Sequence, residues 1–212
     1  MKKNTGFSKE YWDKNYSDLE EMDGIINASS HVRYVKGFFD VEDIELNSII
    51  DFGFGLGYLF REFLKNLKPD YALGLEPSSY AFSKGKKLLK NYQVKLREED
   101  LASWCNRKEK KIYDLGICTS IFQYLKNDEI CQALPIISKK VKFLYFSVPT
   151  DLEQDRSKKE LDFVDKYAFR RSREEYLELI NPHFTIVSGR ILESKIYFGP
   201  DNTHLTDLLF RF

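Results

Sequence analysis

The stretch Ile49-Ile50-Asp51-Phe52-Gly53-Phe54-Gly55-Leu56-Gly57-Tyr58-Leu59-Phe60 decides how this chain is read. An apolar pair feeds a carboxylate, three glycines follow on alternate positions, and apolar residues then recur at helical spacing. The pattern is that of a strand, a tight turn and a helix start. Without a Cβ, glycine lets the backbone take positive φ and lets a ligand come close, so that amide N–H groups and the first turn of the helix face it. The turn is therefore a candidate cradle for a nucleotide-like cofactor.

Two cofactor classes use such a turn. The dinucleotide fingerprint G-x-G-x-x-G needs a third glycine for close packing of helix on strand, and that position is Tyr58 here. What remains, Asp51-x-Gly53-x-Gly55-x-Gly57, resembles the first motif of the class I S-adenosylmethionine-dependent methyltransferases. In that family the acid at the strand end lies near the amino group of the methionine moiety, and the glycine backbone passes beside it. The resemblance thus assigns Asp51, Gly53, Phe54, Gly55 and Gly57 to a cofactor.

Composition narrows the classes. A chain of 212 residues suits one α/β domain with short additions. Residues 1–40 are expected as an N-terminal helical lid, 41–150 as the cofactor-binding half and 151–212 as a substrate-side half. Lys and Arg together number 33, as do Asp and Glu, so no net field attracts a polyanion and nucleic acid is not the expected partner. Cys105, Cys118 and Cys131 are scattered, without the spacing of a disulfide framework or a metal site, which fits a reduced cytoplasm and no metal. No apolar run approaches the roughly 18 residues of a membrane span, and Met1-Lys2-Lys3 leads into Trp12-Asp13-Lys14 rather than an apolar leader core. A soluble protein is expected.

From Phe7 to about Met22, Tyr11, Trp12, Tyr16 and Leu19 share one helical face, with Ser8 as a candidate N-cap. A second helix after Ser29-Ser30 would bury Val32, Val35, Phe38 and Phe39. The segment Tyr11-Trp12-Asp13-Lys14-Asn15-Tyr16 resembles the lead-in of small-molecule methyltransferases that carry a helical cap. Pro69 stops the helix after the glycine turn, and Tyr71–Leu75 is the second strand, ending on Glu76-Pro77-Ser78. Glu76 lies 19 residues beyond Gly57. That is close to the roughly 20 expected between a glycine turn and a ribose-binding acid, and a carboxylate suits the position because it accepts from both ribose hydroxyls.

Ser78 or Ser79 can cap a helix running to Asn91, and Val94–Leu96 is the third strand. Arg97-Glu98-Glu99-Asp100-Leu101 resembles the family's third motif, in which an acid accepts from the adenine amine and the next residue packs on the ring. Asp100 with Leu101 matches best, and Glu99 is the other candidate. Tyr113–Cys118 is the fourth strand, running into Thr119-Ser120-Ile121-Phe122-Gln123-Tyr124-Leu125. It resembles the fourth motif, except that Gln123 and Tyr124 stand where Glu and His are usual. Asp114 reads as an anchor at the start of the strand. Pro135 should kink or shorten the helix from about Asp128 to Ser138.

Val141–Val148 is a fifth strand closed by Pro149, and a charged connection runs from Thr150 to Arg171. Ser172 with Glu175 forms a capping box. Phe184–Leu192 and about Leu205–Phe212 read as two strands pairing antiparallel across Gly199-Pro200-Asp201-Asn202.

Five strands alternating with helices, then a terminal pair, predict a doubly wound, mostly parallel seven-stranded sheet of Rossmann-like type with helices on both faces. Ligands of such sheets bind beyond the strand carboxyl ends, where Asp51, Gly55, Glu76, Asp100 and Thr119 all fall. The resemblance implies S-adenosylmethionine as cofactor, adds Pro77 and Cys118 to its contacts, and implies methyl transfer to a small molecule by in-line displacement. Tyr124 is then the candidate on the acceptor side. His31, His183 and His204 are isolated from any nucleophile or metal set. A nicotinamide-dependent oxidoreductase and a non-catalytic methyltransferase-like binding domain are the alternative readings.

Overall fold

The computed structural model describes residues 7–15, 27–107, 109–203 and 205. Its strands form a seven-stranded sheet in the order β3-β2-β1-β4-β5-β7-β6, numbered along the chain, and the chain divides into two compact units, Met1–Trp104 and Cys105–Phe212.

In the first unit, β1 (Ser48–Asp51) pairs in parallel with β2 (Tyr71–Leu75), Asp51 opposite Gly74, and β2 pairs in parallel with β3 (Lys95–Arg97). All four residues of β1 are buried. Burial on both faces is why Ile49 and Ile50 are apolar on adjacent positions rather than in alternation. Helix α1 (Lys9–Asn15) precedes α2 (Ala28–Val41), which buries Ala28, Val32, Val35 and Phe39. Ser8 caps α1 by accepting from the Tyr11 amide at 3.4 Å. Tyr16, Leu19 and Met22 lie outside the described residues. Helix α3 (Tyr58–Leu67) starts at Gly57, buries Phe60, Phe63 and Leu64, and ends at Lys68 in the left-handed conformation ahead of Pro69. Helix α4 (Ser79–Leu88) is capped by Ser78, whose Oγ accepts from the Ala81 amide.

The second unit contains α5 (Leu101–Cys105) only in its last residue. It is built on β4 (Tyr113–Thr119) and β5 (Val141–Ser147), parallel with Thr119 opposite Ser147. Lys142 on β5 donates to Asp114 at 2.8 Å, so Asp114 anchors the start of β4 as expected. Helix α6 (Asn127–Lys140) runs its full 14 residues through Pro135, against the expected shortening. Burial of Ile130, Ala133, Leu134 and Ile137 outweighs the one hydrogen bond a proline removes. The charged connection holds α7 (Asp151–Leu161), which buries no residue, a reason its sequence shows no apolar stripe. Helix α8 (Arg173–Ile180) begins with the expected capping box of Ser172 and Glu175.

The terminal antiparallel pair exists, but not where it was expected. The segment read as one strand is a hairpin of β6 (Phe184–Ser188) and β7 (Ile191–Ser194), turning at Gly189-Arg190 with Arg190 at φ 67°. Ser188-Gly189 is a turn signal between the two runs, but the positive φ falls on Arg190 rather than on the glycine, a turn that the sequence does not announce. Strand β7 pairs antiparallel with β5 as well. Residues 206–212 lie outside the described residues, and Leu205 is not in a strand. No described helix is long and apolar enough to cross a membrane.

Phe54 locks the first unit together. Its ring stacks on Phe60 at 6.3 Å and meets Phe82 at 6.0 Å. Space for it exists because Gly74 and Gly85 lack side chains: a Cβ on Gly85 would fall 2.5 Å from the ring and 3.2 Å from the Gly55 carbonyl. Gly85→Ala should therefore destabilise the protein by about 1–3 kcal/mol through overpacking. Urea denaturation should show a lower midpoint at unchanged slope.

Candidate functional site

The chain after β1 turns sharply. The Phe54 amide donates to the Leu75 carbonyl at 3.0 Å and the Gly57 amide to the Phe54 carbonyl at 2.8 Å, while Gly55 and Gly57 take φ of 54° and 90°. Side chains rarely adopt either value, so glycine at 55 and 57 is a requirement of the backbone path. Phe54 belongs to this turn through its main chain, its ring being in the core.

Two carboxylates hold the turn. Asp51 Oδ1 accepts from the Gly53 amide at 3.0 Å, and Glu76 Oε2 accepts from the Gly55 amide at 2.9 Å while its Oε1 accepts from the Ser78 amide at 2.8 Å. Asp51 is 2% exposed and Glu76 5%. Burial is the main reason both carboxyls are pushed up to about 7; the amide bonds oppose the shift, and the nearby Glu76 charge raises Asp51 further. No cation contributes to either shift.

Helix α1 lies on this turn. Trp12 Nε1 donates to Ser78 Oγ at 2.9 Å, Ser78 Oγ donates to the Phe7 carbonyl at 2.8 Å, and Tyr80 donates to Asp13 at 2.8 Å. The Trp12 indole reaches within 3.3 Å of where a Cβ on Gly55 would sit. Ser78 is thus at once the cap of α4, a neighbour of Glu76 and the anchor of α1. The aromatic stripe was legible in the sequence; its partners, 66 and 67 residues away, were not.

Pro77 follows Glu76 between β2 and α4. Asp100 accepts from the Ser103 amide at 2.6 Å, capping α5, and Leu101 beside it is buried. Glu99 is buried, with its Oε2 3.9 Å from Arg97. An acid with one oxygen on a helix cap keeps the other for a ligand, which leaves Asp100 suited to the role the resemblance gives it.

In the second unit, Cys118 is buried and Thr119 half-buried at the carboxyl end of β4, followed by Ser120 at φ 54° and a 3₁₀ turn over Phe122–Tyr124. Tyr124 is half-buried and donates its hydroxyl to Asp165 at 2.7 Å; Asp165 also accepts from the Tyr167 amide. The turn is held from beneath by Arg171, which is buried. It donates to Asn127 Oδ1 at 2.7 Å and to the carbonyls of Phe122 and Leu125, and sits over the rings of Phe169 and Tyr176. Neither Asp165 nor Arg171 stood out in the sequence, because both lie in a charged run that reads as solvated surface. No group of three or more His, Cys, Asp or Glu able to hold a metal occurs among the described residues.

The order β5-β7-β6, with β7 antiparallel, differs from the dinucleotide-binding sheet, in which a sixth parallel strand follows the fifth directly. It belongs to the fold of the class I S-adenosylmethionine-dependent methyltransferases, and solved structures of such enzymes share it. The plantazolicin methyltransferase BpumL, solved with S-adenosylhomocysteine, superposes with a TM-score of 0.66 at 17% identity, over 84% of this chain and 71% of that one. Magnesium protoporphyrin IX methyltransferase from Synechocystis, also with S-adenosylhomocysteine, gives 0.59 at 18% identity over 91% and 94%. An S-adenosylmethionine-dependent methyltransferase from Clostridium acetobutylicum gives 0.55 at 14% identity over 68% of this chain, which spans only 57% of that one. No protein-family model and no curated protein matches the sequence.

The raised carboxyls make the ligand-free fold pH-dependent. A group whose folded pKa is raised stabilises fully below its unfolded value, near 4, and loses that contribution as pH rises through about 7. Asp51→Asn keeps an oxygen for the Gly53 amide and removes the charge. Relative to wild type its Tm should therefore gain most at pH 8 and least near pH 4, as differential scanning fluorimetry across that range would read.

Proposed function

We propose that this chain is an S-adenosylmethionine-dependent methyltransferase acting on a small-molecule acceptor. One observation carries the reading: a glycine turn at positive φ joins two buried carboxylates at the ends of neighbouring strands, in a fold whose solved examples hold the same cofactor product. The residues present fit that cofactor. Gly55 offers a backbone without a Cβ, Glu76 retains a lone pair on each oxygen for ribose hydroxyls, and Asp51 supplies negative charge for an ammonium.

In this reading Asp51, Gly53, Phe54 through its backbone, Gly55, Gly57, Glu76, Pro77, Asp100, Leu101, Cys118 and Thr119 are the cofactor residues. Residues 1–212 are read as a single domain, with 1–40 as its cap, 41–150 binding the cofactor and 151–212 serving the acceptor.

The cofactor supplies an activated methyl group, so the protein has to position the acceptor, exclude water and, for a protonated nucleophile, receive a proton. Trp12 of α1 serves the exclusion of water by covering the glycine turn, with the buried Tyr11 ring edge-on to it at 5.9 Å. Tyr124 positions the acceptor. Its hydroxyl donates to Asp165, which directs the O–H away and turns the lone pairs of the phenol oxygen toward a donor on the substrate.

S-adenosylhomocysteine should raise the Tm of the purified protein, as any ligand that prefers the folded state does. Glu76→Ala should lose most of that shift, and Gly55→Val nearly all of it, because the new side chain strains φ and meets Trp12. A full shift in both variants would overturn the assignment. With an acceptor in hand, Tyr124→Phe should lower kcat by about tenfold or more while leaving the S-adenosylhomocysteine shift intact. An unchanged kcat would make Tyr124 scaffold.

A further inference from the structure

The pair Asp51 and Glu76 presents an electrostatic imbalance. Both carboxylates are almost wholly buried, and the hydrogen bonds they receive, from Gly53, Gly55 and Ser78, are from backbone amides, not from a cation. Burying two like charges this way is unfavourable unless one is neutralised. The charged groups on the elements around them are engaged elsewhere. On and after β3, Arg97 lies 3.9 Å from Glu99, and Glu98 accepts from Ser79. On α1, Asp13 accepts from Tyr80 and lies 3.8 Å from Lys9; on α4, Lys84 sits over the Tyr80 ring. Among the described residues, the one charge that bears on either carboxyl is that of Glu76 on Asp51.

We propose that Asp51 and Glu76 are each held protonated in the ligand-free protein and release their protons to solvent when the ligand enters, so that Asp51 selects its ligand by positive charge. The inference rests on the cofactor reading above, which makes the ligand the ammonium-bearing adenosyl cofactor. The exchange balances: two protons leave to solvent, the ligand ammonium takes the place of the one on Asp51, and the ribose hydroxyls donate to Glu76 in place of the other. Since both carboxyls are pushed up to about 7, the exchange falls in the physiological range, and cofactor affinity rises with pH. An adenosyl ligand without an ammonium gains less, because it offers Asp51 no charge in exchange for its proton.

Isothermal titration of the full chain with S-adenosylhomocysteine, at pH 6.0 and 7.5 and in two buffers of different ionisation enthalpy, reads both affinity and protons released. Affinity should rise by roughly seventyfold between the two pH values, with close to two protons released at about pH 6.0. Asp51→Asn and Glu76→Gln should each reduce both effects. 5′-Methylthioadenosine, which lacks the amino-acid portion, should show a smaller rise. Equal S-adenosylhomocysteine affinity at both pH values with no proton released would overturn the proposal and leave the cofactor reading standing. An equal rise with 5′-methylthioadenosine would overturn selection by charge. Binding at neither pH would remove the cofactor reading and this inference with it.

Discussion

The hydrogen bond from the Gly55 amide to Glu76 joins the end of β2 to the turn after β1, and the arrangement of the first unit follows from it. To reach Glu76 the backbone at Gly55 takes positive φ, and Gly57 follows it to start α3. The Ser78 amide on the other carboxylate oxygen brings α4 to its start. Two helix starts are thus set by one buried side chain. Desolvating that carboxylate is unfavourable in the isolated protein. A stability cost at such a position is what a ligand-binding site leaves behind when the ligand supplies the missing charge.

Close packing beneath the turn gives it rigidity. Phe54 fills the gap left by Gly74 and Gly85, while Gly57 lies near Gly85, so that a Cβ there would fall 3.3 Å from the Gly85 Cα. The glycines therefore act in two ways. Gly55 and Gly57 permit the backbone path, and Gly74 and Gly85 permit the approach of a ring. Above the turn, α1 is attached through side-chain hydrogen bonds to Ser78 and Tyr80, which open more readily than a packed core.

In the second unit a different device fixes the turn after β4. Arg171 is buried but well partnered, with an amide oxygen and two carbonyls taking its N–H groups and two rings against its plane. That satisfies the condition under which a buried guanidinium is tolerated. The 3₁₀ turn carrying Tyr124 is consequently held from the segment that follows α7, where Asp165 also lies. Variation in that segment would reach Tyr124 without touching β4.

Short-range chemistry was legible in the chain. The glycine turn, the strand-end acids Asp51 and Glu76, the Ser8, Ser78 and Ser172 caps and the anchor at Asp114 all follow from residue types at fixed local spacing, and each appears in the fold. Long-range and compensated features did not. The β6–β7 hairpin was hidden by an atypical turn, the passage of α6 through Pro135 depends on how much that helix buries, and α7 lacks an apolar stripe because it buries nothing. The link from Trp12 to Ser78, the link from Tyr124 to Asp165 and the clamp of Arg171 join residues 41 to 66 positions apart. No local periodicity encodes such pairings. They arise only when tertiary packing brings a donor to an acceptor out of water, which is also what raises the Asp51 and Glu76 carboxyls and turns two strand-end acids into a charge-sensitive pair.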